Sequence, residues 1–187
     1  MKVKILIFRK LKCVLLFSLI CNICFSQSYL GTITKQVNLR SDASSYSYII
    51  KSLKPGSQVF ISSLETETDY YNVIDIATDK EGFVKKSFVK VGKLISKSSE
   101  SVFIPDGESS NLNPEVKIFN NTSKTLTLKM NSDLYYFEPH QTKNITLFPG
   151  EYDFRASAPG VIPYIGTENL NGNQSYSWQF FIRTRRR

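Results

Sequence analysis

The chain has 187 residues, of which 24 are basic and 16 acidic, giving a formal net charge of +8. Its three cysteines lie within the first 24 residues and its only histidine is His140, so the remainder lacks the residues for a Cys–His catalytic pair. Much of the positive charge lies at the two ends of the chain, and for that reason it does not indicate nucleic-acid binding.

The first 26 residues have the pattern of a cleavable secretory signal peptide. A basic leader over residues 1–12 precedes an apolar run over residues 13–25, and the small residue Ser26 is followed by polar Gln27. We predict cleavage after Ser26. The alternative is a retained membrane anchor, but the apolar run is shorter than the roughly 20 residues that cross a bilayer.

Lipid attachment at a cysteine of this segment is disfavoured. A lipid-modified cysteine follows a small residue, whereas Ile20 and Ile23 precede Cys21 and Cys24. After cleavage the chain would contain no cysteine, which excludes disulfides and thiolate catalysis from the mature protein.

Cleavage would also change the charge balance. It removes five basic residues and no acidic one, leaving 19 basic and 16 acidic residues and a net charge of +3. Four of these positive charges are the C-terminal arginines Arg183, Arg185, Arg186 and Arg187. We predict a solvated basic tail over residues 184–187, with contact to anionic envelope polymers as the alternative.

Residues 29–91 have the pattern of an antiparallel β domain. Short runs rich in Val, Ile, Phe and Tyr are separated by Ser, Asp, Pro and Gly. Pro55-Gly56 is typical of a type II turn, because proline fixes φ and glycine accepts a positive φ. A second tight turn is predicted at residues 79–82, before a closing strand.

Four motifs in this stretch follow the order found in bacterial SH3 (SH3b) domains. They are Val37-Asn38-Leu39-Arg40-Ser41, Leu53-Lys54-Pro55-Gly56, the aromatic pair Tyr70-Tyr71 before Val73, and the segment from Gly82-Phe83-Val84 to Val89. The stretch therefore resembles an SH3b domain, which implies a small barrel acting as a binding module, commonly in exported cell-wall proteins. It departs from that pattern at Tyr70-Tyr71 and Phe83, where tryptophan is common, and so lacks an indole N–H donor.

The resemblance also implies a ligand site. In such barrels the ligand lies between the long first loop, here residues 41–48, and the hairpin loop, here residues 65–69. The candidate ligand-binding residues are the aromatic Tyr46, Tyr48, Tyr70 and Phe83, with Glu67 or Asp69 to receive an amine. The alternative is that some of these rings fill a small core, the role we assign to Tyr71.

The rest of the chain is predicted to be a linker and a second β domain, so the fold class is all-β. Residues 92–113 are polar and serine-rich, as in a linker, and residues 114–183 alternate at spacings that fit a β-sandwich. The turn Pro149-Gly150-Glu151-Tyr152 is loosely similar to one in small Ig- or transthyretin-like accessory domains.

The second domain contains aromatic residues that sugar-binding sandwiches use for ring stacking: Tyr135, Tyr136, Tyr164, Tyr176 and Trp178. Trp178 alternates in phase with Phe180, so strand periodicity favours a core position for it.

The sequence favours a non-catalytic function. It contains no H-E-x-x-H and no G-x-S-x-G motif, and we expect no catalytic residues, cofactor or metal. The prediction is an exported protein, periplasmic or at the cell surface, that recognises cell-wall peptide or envelope polysaccharide. It would bind no nucleic acid and meet the membrane only during export. The alternative is a structural protein that binds an envelope protein by edge-strand pairing.

The export prediction is tested by the mass of the mature protein from its native host. We expect an N-terminus at Gln27, because the signal pattern ends at Ser26. Recovery of a chain that begins at Met1 would contradict it.

Overall fold

The computed structural model describes residues 27–183, and the predicted signal peptide and basic tail lie outside this range. The described part is almost entirely β, which confirms the predicted fold class. Its first seven strands are β1 Ser28–Ile33, β2 Val37–Arg40, β3 Ile49–Leu53, β4 Gln58–Ile61, β5 Tyr70–Asp75, β6 Lys80–Lys85 and β7 Val89–Ile95, with one 3-10 helix at Lys86–Phe88. No helix in residues 27–183 is long and apolar enough to span a membrane.

Strands β1–β7 form one sheet, which we call the N-terminal sheet, in the order β3-β2-β6-β5-β4-β1-β7. The predicted turn at Pro55-Gly56 is present: Ser57 N–H donates to the Lys54 carbonyl, and Gly56 has a φ of 84°. The second turn lies earlier than predicted, at residues 76–79, where Asp79 takes the left-handed conformation that Asp tolerates better than most residues.

The predicted barrel is not closed. Strands β3 and β7 are the two edges of the N-terminal sheet, and no ladder joins them within residues 27–183. Side chains from strands β1–β6 nevertheless pack into a single apolar core on one face of the sheet. Its fully buried members are Ile33, Leu39, Leu53, Val59, Ile61, Val73 and Val84, and Tyr71 packs against them as expected.

The other eight strands form two four-stranded sheets. They are β8 Ile104–Glu108, β9 Glu115–Asn120, β10 Leu126–Met130, β11 Asp133–Phe137, β12 Thr142–Thr146, β13 Gly150–Ser157, β14 Tyr164–Leu170 and β15 Gln174–Phe180. The orders are β11-β10-β13-β14 and β12-β9-β15-β8, and β9 and β15 run parallel. We call this pair of sheets the C-terminal sandwich.

The core of the C-terminal sandwich lies between its sheets and is rich in aromatic rings. The alternate residues Tyr176, Trp178 and Phe180 of β15 all belong to it, so the predicted core position of Trp178 is confirmed. The Trp178 ring lies 5.4 Å from that of Phe103 and 6.1 Å from that of Phe154.

The structure differs from the linker predicted over residues 92–113. Strand β7 continues to Ile95, and β8 is an edge strand of the sandwich. Phe103, between them, is only 1% exposed and lies in the sandwich core. The polar composition wrongly suggested a linker, because the residues of an edge strand can be exposed and polar. Here the buried ring of Phe103 holds the segment against the sandwich.

The N-terminal sheet and the C-terminal sandwich share an apolar junction. Phe60 of β4, Ile74 of β5 and Ile76 point away from the core of the N-terminal sheet and pack with Ile165 of β14. A backbone hydrogen bond crosses the same boundary: Gly160 N–H donates to the Ile76 carbonyl at 2.6 Å. Each unit therefore buries apolar surface of the other.

Charged groups surround this apolar junction. Arg155 Nη2 donates to Glu81 Oε2 at 2.7 Å. Burial raises the pKa of the Glu81 carboxyl, but the charge and hydrogen bond of Arg155 outweigh it, and the net shift is downward. Burial raises the pKa of the Asp79 carboxyl, and the hydroxyl of Thr127 and the charge of Arg155 offset that increase only in part.

Replacing the junction residue Ile165 with aspartate tests this packing. Ile165 is 8% exposed, so an unpaired carboxylate would be buried there. We expect Ile165→Asp to lower the free energy of unfolding by about 3 kcal/mol. The matched control is Ile162→Asp, at a side chain 48% exposed, with an expected change of about 0.5 kcal/mol or less in denaturant titration. An equal decrease in the free energy of unfolding in both variants would contradict the proposed packing of Ile165.

The raised pKa of Asp79 predicts a pH-dependent effect of Asp79→Asn. A folded-state pKa above the unfolded value makes the protein lose stability as pH rises through the interval between the two. The amide cannot ionise and tolerates the positive φ, so we expect the variant to be more stable than the parent at pH 7. That advantage should shrink toward pH 4.

The measurement is the difference in free energy of unfolding between variant and parent at the two pH values. The control is Asp106→Asn, at an exposed carboxyl, for which little change is expected. A gain for Asp79→Asn that grows as pH falls would refute the assignment.

Candidate functional site

The loop over residues 41–48 is held in place by its own hydrogen bonds. Ser41 N–H donates to the Tyr48 carbonyl at 2.9 Å and closes the loop at its base. Inside it, Ser47 Oγ donates to the carbonyls of Asp42 and Ser44. Arg40 Nη1 donates to the Ser47 carbonyl at 2.8 Å. A single backbone arrangement is thereby favoured before any ligand arrives.

The two tyrosines of this loop are its most exposed large side chains. Tyr46 is 97% exposed and Tyr48 76% exposed. Neither ring contributes to the core of the N-terminal sheet. These two rings are therefore not core residues and are free to contact a ligand.

Tyr70 and Phe83 lie beside each other on the outer face of the N-terminal sheet. Asn72 of β5 pairs with Phe83 of β6, and Tyr70 lies two residues before Asn72 on the same face. Residues placed diagonally in this way are about 7–8 Å apart, within reach of aromatic side chains. Both are half-buried, as expected for rings that line a surface.

Glu67 and Asp69 are exposed in the hairpin loop that precedes Tyr70. Lys86 anchors this loop: its backbone N–H donates to the Asp69 carbonyl and its Nζ to the Thr66 carbonyl. The two carboxylates therefore lie at the β5 end that carries Tyr70, where they can meet a cationic group.

Arg40 connects the two parts of the predicted site, and the sequence reasoning did not single it out. In the sheet it pairs with both Ile49 and Phe83, and its guanidinium holds the loop through Ser47. Among the described residues, no hydrogen bond or ring contact joins Tyr46 or Tyr48 to Tyr70, Phe83, Glu67 or Asp69. The structure thus places Tyr70 and Phe83 next to each other, with Glu67 and Asp69 in the loop before Tyr70, and it does not pack the loop tyrosines against them.

Three cavities lie elsewhere in the described part of the chain. One, of about 260 Å³, lies at the junction between Phe60 and Arg155. The second, of about 390 Å³, opens beside Tyr164 and Trp178, and the third, of about 310 Å³, lies along β9 and β12. The candidate residues of the predicted site are exposed or half-buried, so the site is a surface suited to an extended chain.

The described residues include no group of three or more His, Cys, Asp or Glu side chains placed to hold a metal ion. His140, the only histidine, lies in a turn with a φ of 58°. The carboxyls with shifted pKa values in the N-terminal sheet, Asp79 and Glu81, belong to the junction with the sandwich.

Comparison with protein-family models, with curated proteins and with solved structures finds no match to this chain.

Proposed function

We propose that this protein is an exported, non-catalytic binding protein whose SH3b-like N-terminal sheet recognises cell-wall peptide or an envelope polymer. The observation that carries the proposal is the high exposure of Tyr46 and Tyr48 on a loop fixed by internal hydrogen bonds. The site residues are Tyr46, Tyr48, Tyr70, Phe83, Glu67 and Asp69.

Ordered, exposed rings favour binding for a physical reason. Each tyrosine offers a large apolar face and a hydroxyl while having few rotatable bonds, so little entropy is lost on contact. Because the loop is already ordered, a ligand does not have to supply the free energy of ordering it.

The charges at the site support a peptide with a free amine. Glu67 and Asp69 are exposed beside Tyr70, and an amine placed near them would gain a favourable interaction with either carboxylate. Stem and cross-bridge peptides of the cell wall are of this kind. The export signal predicted over residues 1–26 supports a periplasmic or surface location, where such polymers occur.

Strand β7 supports a second candidate function, the pairing of its edge with a strand of an envelope protein. It has seven residues, lies at the edge of the N-terminal sheet, and its five central residues are exposed. An unpaired edge of this length offers backbone donors and acceptors to another chain. Lys90 and Lys93 disfavour indiscriminate pairing of two such edges.

A pull-down on purified peptidoglycan tests the first candidate. We expect the mature protein to be retained, and Tyr46→Ala/Tyr48→Ala to lower its apparent affinity by about thirtyfold, since each of the two rings contributes on the order of 1 kcal/mol. The matched control is Tyr136→Ala/Phe148→Ala, which removes two rings of the C-terminal sandwich that are 54% and 75% exposed.

If both double variants lose retention equally, binding depends on exposed apolar surface in general. That result would refute the site at Tyr46 and Tyr48. No retention of the parent, together with capture of one defined envelope protein that depends on β7, would replace the first candidate with the second.

A further inference from the structure

The second cavity is a cleft at one side of the C-terminal sandwich, built by three segments distant in sequence. Glu100 and Val102 come from the segment before β8, Tyr164 begins β14, and residues 178–183 form the end of β15 and the chain after it. We call it the aromatic cleft. Its volume of about 390 Å³ lies within the usual range of small-molecule sites.

The segment that carries Glu100 is fixed at both ends. Ser98 bridges to Gly166 of β14, and its N–H donates to the Ile165 carbonyl at 2.8 Å. Further along, the buried Glu168 carboxylate accepts hydrogen bonds from Ser101 Oγ and from the backbone N–H of Val102. One wall of the aromatic cleft is therefore held before any ligand binds.

Aromatic rings line much of the rest of the cleft. Trp178 and Phe180 have ring centroids 5.9 Å apart and are largely buried, whereas Tyr164 and Phe181 are 40% and 48% exposed. Gly166 permits this arrangement, because a Cβ there would lie 2.5 Å from the ring of Phe154, the ring that packs against Tyr164 at 5.8 Å.

The polar residues of the cleft have planar hydrogen-bonding groups. Glu100 supplies a carboxylate and Arg183 a guanidinium, and Gln179 also lines the cleft. Arg183 lies over the ring of Phe181, with its Cζ 4.9 Å from the centroid. The two formal charges cancel, so the cleft favours neither an anion nor a cation as such.

We propose that the aromatic cleft is a second binding site, which takes the ring of a neutral saccharide. The apolar C–H face of a sugar ring matches an aromatic face, and its paired hydroxyls match planar groups that donate or accept two hydrogen bonds. A lipid chain could contact the rings but could form no hydrogen bond with either planar group. This site is separate from the loop tyrosines and does not depend on the function proposed for them.

The protein provides its own probe for this proposal. Trp178 is the only tryptophan of the chain and lines the cleft, so its fluorescence reports on occupancy. The mature protein is titrated with N,N′,N″-triacetylchitotriose, cellotriose, maltotriose, xylotriose and mannotriose. We expect a saturable change in emission with at least one of them.

The exposed residues Phe181 and Glu100 supply variants that leave the fold intact. Phe181→Ala and Glu100→Ala are each expected to lower, by about threefold to tenfold, the affinity for the sugar that changes the emission. The reason is the loss of one ring contact or of one charged hydrogen-bonding group. The control Tyr46→Ala/Tyr48→Ala is expected to titrate like the parent. It also keeps this test distinct from the peptidoglycan experiment.

Two outcomes would overturn the proposal. One is the absence of a saturable change with all five trisaccharides in a protein whose unfolding curve is normal. The other is a response to the peptide acetyl-Gly-Phe-Gly-amide with none to the sugars, which would assign the cleft to an aromatic side chain.

Discussion

Burial of both faces of β4 and β5 is the constraint on which the architecture depends. Val59, Ile61 and Val73 point into the core of the N-terminal sheet, whereas Phe60 and Ile74 point the opposite way and are as fully buried. A strand that is apolar on both faces must be covered on both faces. The C-terminal sandwich supplies the second cover, chiefly through Ile165.

This arrangement divides the outer surface of the N-terminal sheet into two zones. Near Ile74 and Glu81 the surface is used for the junction, where Arg155 completes an ion pair. Toward Tyr70 and Phe83 the surface is partly exposed. Strand β5 thus carries a structural contact through Ile74 and, at its other end, Tyr70 of the candidate binding surface.

The sequence predicted the fold class and several individual side chains for local reasons. Alternation placed Trp178 in the core, and Pro55-Gly56 specified a type II turn. Composition gave the wrong prediction of a linker around Phe103. A single apolar ring in a polar segment does not distinguish an edge strand from a linker. It also gave no indication of Arg40, whose importance comes from pairing with both Ile49 and Phe83.

The sequence alone determined what is local: strand periodicity, turn chemistry, the predicted export signal and the polar, tyrosine-bearing loop. Only the tertiary structure decided which strands remain at the edges, that the N-terminal sheet stays open, and that Tyr164, Trp178 and Glu100 border one cleft. The reason is that the alternation of residues along a strand specifies which face of the strand is buried. Which segment covers that face depends on packing between parts of the chain that are far apart in sequence.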